Sequence, residues 1–128
     1  MVDDRIKDWA RGMLDGDVRT FERARVRFIN RPCADRLHDV RVSARRLRSL
    51  CEDLEEALPA VRRKRLHRII AMTGDARDAA VLREALRNAL DAHERKAARP
   101  LLRSLRERER TMLRRIRRAL EKIKLRIE

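Results

Sequence analysis

The sequence predicts an all-α fold, an antiparallel up-and-down helical bundle of four to five helices with a basic groove, and three observations predict it. Charged residues fill 44% of the 128 positions while Gly and Pro supply only three each, so helix formers dominate and breakers are sparse. Apolar residues recur at helical spacing between those breakers. The connections left between helices are short, which favours antiparallel neighbours. A single domain over residues 1–128 is expected, since the chain is too short for two ordinary ones. Hydrophobic residues reach 43% but aromatics only 2%, so the core must be built mainly of Leu, Val, Ile, Ala and Met.

The first helix runs from a cap at Asp3 or Asp4 toward Asn30, with an interruption expected around Gly12 and Gly16. Asn30, Arg31 and Pro32 form the first connection. A second helix is expected from Ala34 to Leu58, and Pro59 suits the opening of a third, where its missing N–H costs nothing. Thr73-Gly74-Asp75 reads as a helix stop followed by a new N-cap. A fourth helix then extends from Ala76 to about His93, and a last one from Ala97 or Pro100 to the C-terminus.

The second helix separates core from charge. At 100° per residue, Cys33, Leu37, Val40, Ala44, Leu47, Cys51, Leu54 and Leu58 fall on an arc roughly 100° wide, the width of a buried face. His38, Arg41, Arg45 and Arg48 form an adjoining stripe, with Arg46 well off it. Such a stripe is usually a solvated face paired with acids. Here Glu52 can meet Arg48 or Arg45, whereas Arg41 has only Asp35, Asp39 and more distant acids near it, so a shared anionic ligand explains the stripe better. A lone His is usually structural, but His38 gains standing from its place among the arginines. The third helix puts Arg63, Lys64, His67 and Arg68 on one side, opposite Leu66, Ile69 and Ile70. In the last helix Leu102, Leu105, Met112, Leu113, Ile116, Leu120 and Ile123 make the apolar arc, beside a stripe of Arg103, Arg106, Arg110, Arg114, Arg117 and Lys124. Three basic helix edges can line one positively charged groove.

The net charge of +14 points the same way. Charge of that size opposes compaction by self-repulsion, and so suggests a negatively charged partner. Most of the excess is arginine, whose rigid fork suits phosphate oxygens. No apolar run is long enough to span a bilayer, and residues 1–14 lack a signal-like apolar core. Lying on an anionic membrane is a poorer fit for the last helix, which has no Trp or Phe anchors. Cys33 and Cys51 stand 18 positions apart in one expected helix, roughly 27 Å at 1.5 Å per residue, too far for a disulfide. Buried free thiols then imply a reducing compartment, the cytoplasm.

Residues 38–48, His-Asp-Val-Arg-Val-Ser-Ala-Arg-Arg-Leu-Arg, resemble the signature of CHAD proteins, the conserved-histidine α-helical domain, with its pattern H-x-x-R-V-x-x-R-R-L-R. Residues 74–78, Gly-Asp-Ala-Arg-Asp, are similar to that family's G-x-x-R-D element, which precedes an apolar run as Val81-Leu82 does here. The resemblance implies a helical bundle whose basic surface binds inorganic polyphosphate, often at polyphosphate granules. Carried over by position, it nominates His38, Arg41, Arg45, Arg46, Arg48 and Arg77 as binding residues. Helical geometry adds Lys64, His67 and Arg68 and the stripe Arg103, Arg106, Arg110, Arg114 and Arg117. Two departures stand out. The family's second acid after G-x-x-R-D is Ala80 here, and its members usually carry two bundles about a pseudo-twofold axis where this sequence has one. A homodimer rebuilding the second bundle is the expectation.

No cofactor or metal is expected, because His38, His67 and His93 fall in no metal-ligand spacing and no Walker-type loop occurs. The E-x-E-x-K motif of the tunnel-type triphosphatases that sometimes accompany such domains is absent: residues 107–111, Glu-Arg-Glu-Arg-Thr, match only its acids. Catalysis is therefore not expected. The alternative is a nucleic-acid-binding basic helical module. The chain offers only Trp9, Phe21 and Phe28 for stacking and no recognition-helix or RNA motif.

Overall fold

The computed structural model describes residues 3–54 and 63–123. Five helices follow one another: α1 (Asp4–Asn30), α2 (Ala34–Asp53), α3 (Arg63–Ala89), the short α4 (Ala92–Ala97) and α5 (Arg99–Glu121). No strand occurs among the described residues. The four long helices form a ring in which α1 packs on α2, α2 on α3, α3 on α5 and α5 back on α1. The expected all-α bundle is what the chain forms.

α1 starts at Asp3, whose carboxylate accepts from the N–H of Arg5 at 2.9 Å. It then runs unbroken through Gly12 and Gly16, so the expected interruption does not occur. Each glycine forfeits about 0.5–1 kcal/mol relative to Ala inside a helix. Buried Ala10, Leu14, Phe21, Ala24 and Phe28 outweigh that, since each large side chain fully buried contributes about 1.5–3 kcal/mol. Both phenylalanines are among the most deeply buried side chains. Arg25 ties α1 to the end of α5 by donating to the Leu120 carbonyl at 2.8 Å. Its hydrogen bond to Glu22 pushes its pKa further up, so it stays charged.

The core arc of α2 closes as the periodicity predicts, with Leu37, Val40, Ala44, Leu47 and Cys51 buried. Leu54 caps the helix and is half-buried, while Leu58 and Pro59 lie outside the described residues. Cys33 is the half-buried N-cap of α2 and Cys51 is fully buried, and both thiols are free. Burial pushes the Cys51 thiol pKa up, which keeps it protonated at neutral pH.

Several boundaries differ from the sequence reading: α2 ends at Asp53, short of Leu58, and α5 ends at Glu121, short of the C-terminus. α3 does not stop at Thr73-Gly74-Asp75, and no described residue has a positive φ, so Gly74 is no left-handed cap. The Thr73 hydroxyl instead folds back onto the carbonyls of Ile69 and Ile70, at 2.9 and 3.1 Å, and is satisfied inside the helix. The break comes later, after Ala89. Asp91 and Glu94 form a reciprocal capping box that starts α4, so no single helix runs from Ala76 to His93. Aspartate followed three residues on by glutamate is a legible start signal, and it was the one to read. Pro100 sits in the first turn of α5, where it is tolerated.

Candidate functional site

Antiparallel packing of α2 on α3 brings the two halves of the motif together. Arg41 lies across α3 and its Nη1 donates to the Ile70 carbonyl at 3.1 Å. Gly74 makes that seat: a Cβ there would stand 2.6 Å from Arg41 Nη1, a separation no real side chain adopts. One turn along, Arg77 Nη1 approaches His38 Nδ1 at 3.5 Å, a long contact. His38, Arg41 and Arg77 thus line one cleft of about 250 Å³. Its wall is mostly apolar, with Leu37, Ala76 and Leu113 contributing. Glu84 and Glu109 also line the cleft.

The other predicted residues divide among neighbouring surfaces. Arg46 faces α1, where it shares a groove with Arg23 and Arg27 that also reaches His38. Arg45 borders a shallower groove beside Asp17 and Asp53, so acids partly offset its charge. Arg48 has Glu52 at 3.8 Å, an ion-pair distance but too long for a hydrogen bond, and its Nε is buried without a partner. Lys64, His67 and Arg68 are exposed on α3. In the register set by His38–Arg77 and Arg41–Gly74, His67 falls level with Arg48.

The last-helix stripe also divides. Arg103 and Arg106 enter a cleft between α3 and α5 together with Arg83, Arg87 and Arg99. Arg110, Arg114 and Arg117 are exposed. Arg114 donates to the Thr111 hydroxyl at 3.3 Å and Arg117 pairs with Glu121 at 3.4 Å, a surface pair of small energetic weight. Lys124 lies outside the described residues.

Sequence reasoning missed Arg23 and Arg27, Arg83 and Arg87, and Arg99. The first four fall in pairs four apart, a spacing that stacks them on one helix face and could have been read.

No helix among the described residues is long and apolar enough to cross a membrane. No group of three or more His, Cys, Asp or Glu among them could hold a metal ion. A family model described as CHAD domain matches residues 12–126, nearly the whole chain. No curated protein and no solved structure matches it.

Proposed function

The chain belongs to the CHAD domain family, and on that premise we propose that it binds inorganic polyphosphate without catalysing a reaction on it. The observation that carries this reading is the convergence of His38, Arg41 and Arg77 from two helices on one cleft. A linear phosphate chain offers repeated anionic oxygens and no bases, so guanidinium forks are the chemistry that grips it. Arg41 is held in place before any ligand arrives, because one nitrogen is anchored on Ile70 while the rest of the fork remains free to donate. Arg77 and His38 supply the adjacent donors. Arg48 with Lys64, His67 and Arg68 extends the positive field along the α2–α3 pair, and Arg45 and Arg46 add charge on the α1 side. Arg103, Arg106, Arg110, Arg114 and Arg117 add to it from α5.

Binding of this kind is multivalent and releases counterions, so affinity falls as salt rises, by analogy with nucleic acids. The competing reading, a nucleic-acid module, meets the same charge requirement. Competition separates them: at matched phosphate concentration the long inorganic polymer should displace DNA and RNA from the protein. Displacement only in the reverse direction would favour the nucleic-acid reading.

Two copies of the chain would supply the two bundles that family members usually combine. Exposed Val81 and Leu82, beside the cleft, are apolar surface that such pairing could cover. Light scattering should therefore report a dimer, and a strict monomer from micromolar to millimolar protein would reject the pairing. The same reading puts the protein in the cytoplasm, at polyphosphate granules, in keeping with its two free thiols.

A further inference from the structure

The first half of α1 carries apolar surface that no other helix covers. Ile6, Trp9 and Met13 are all exposed, and Trp9, the only tryptophan of the chain, leaves 59% of its surface outside. At 100° per residue these three and Gly16 fall within an arc of about 80°, with Gly12 on its border. A Cβ at Gly12 or at Gly16 would meet nothing within 4 Å, so beside the indole the helix presents bare backbone. Apolar side chains scattered singly over a surface are ordinary, whereas a contiguous stripe on one helix face marks a contact surface. Of the large apolar side chains left exposed, the indole has the most to gain from burial.

Two features of that stripe make it complementary to itself. Trp9 and Gly16 are seven residues apart, close to two full turns, so they share one line along the helix. A second α1 laid antiparallel, with the twofold axis level between Gly12 and Met13, sets each Trp9 against Gly16 of the other copy. The ring then lands where missing side chains let two helices approach closely. Charge obeys the same register. Asp8 and Arg19 are eleven residues apart, close to three turns, and share one flank of the stripe. Both are exposed, and neither has an ion-pair partner among the described residues. In the antiparallel pair, Asp8 of each copy comes within about 3 Å of axial rise of Arg19 of the other, on the same side. Two reciprocal ion pairs then border the apolar seat. An anionic lipid surface fits the stripe less well, because residues 3–17 hold five aspartates against two arginines and one lysine.

We propose that this face of α1 is a self-association surface, through which two copies of the chain pair as antiparallel helices about a twofold axis. The contact does not rest on the phosphate reading, and it is not the surface around Val81 and Leu82. α1 stands across the ring from α3, so a copy seated on it leaves the α2–α3 cleft of both chains open. Ile6 and Trp9 also precede residues 12–126, which match the family model, so the contact belongs to this chain rather than to the family pattern.

Because Trp9 is the sole indole, its fluorescence reports the contact directly. From micromolar to millimolar protein, with no phosphate present, the emission should move to shorter wavelength as light scattering approaches twice the chain mass. G12Q/G16Q should weaken association by at least about tenfold, since side chains then fill the seat of the ring. Glutamine is a better helix former than glycine and meets nothing there in the single chain, so the thermal midpoint at low concentration should hold or rise. D8R and R19D should each weaken association by about threefold to tenfold, and D8R/R19D together should restore it to within about threefold of the unaltered chain. V81D/L82D should leave it unchanged. Emission indifferent to concentration, association untouched by G12Q/G16Q, or a charge exchange that restores nothing would overturn the contact. Association lost in V81D/L82D and kept in G12Q/G16Q would move the pairing to α3 and overturn it as well. Failure of inorganic polyphosphate to bind would reject the phosphate reading and leave this surface standing.

Discussion

Charge reversal of Arg41 and Arg77 together, R41E/R77E, is expected to lower polyphosphate affinity by at least about tenfold, or about 1.4 kcal/mol. Both side chains line the α2–α3 cleft, and each reversal removes a donor and introduces a charge that repels phosphate. Reversal also places two carboxylates near Glu84 and Glu109, so a lining whose formal charges balance becomes strongly negative. Loss of the Arg41 bond to Ile70 costs about 0.5–1.5 kcal/mol of stability, a fraction of what the core supplies. Circular dichroism should accordingly stay helical. R45E alone should act more weakly, because Asp17 and Asp53 already border its groove. Affinity unchanged in R41E/R77E would remove His38, Arg41 and Arg77 as the centre of the site.

Gly74→Ala should separate binding from stability. Alanine is favoured over glycine inside a helix by about 0.5–1 kcal/mol, and α3 is continuous through this position with ordinary backbone angles. The added Cβ would meet the far end of the Arg41 side chain, a flexible group that can move away. Moving away forfeits the hydrogen bond to Ile70, about 0.5–1.5 kcal/mol, so the two changes nearly cancel in stability. What does not cancel is position. Arg41 loses its seat, and polyphosphate affinity should fall by about threefold to tenfold while the thermal midpoint barely moves. A large fall in thermal stability would instead mean that residue 74 needs a backbone only glycine adopts.

That glycine shows where a sequence stops being informative. Glycine beside Asp75 and after Thr73 has the chemistry of a helix end, and it has equally the chemistry of a place where another chain segment approaches closely. The choice is made by Arg41, 33 positions earlier, through a packing that no local pattern encodes. By contrast, the buried face of α2 was legible residue by residue from Leu37 to Cys51, because helical periodicity is a local property. The basic stripe beside it was legible too, as a stripe. Its partners were not. Whether Arg45 looks toward Asp17 or toward α3, and whether Arg103 meets Arg87, depends on how neighbouring helices are rotated and set in register. The His38–Arg77 and Arg41–Gly74 contacts join two short motifs of one family, a pairing that local spacing could not show.

The central claim is that this basic bundle recognises an inorganic phosphate chain through charge-assisted contacts. Titration of the unaltered chain with polyphosphate of defined length, at low and at near-physiological salt, tests it most directly. Saturable binding whose affinity drops steeply between the two conditions, and which excess duplex DNA does not abolish, is the predicted result. Absence of saturable binding, or an affinity indifferent to salt, would contradict it.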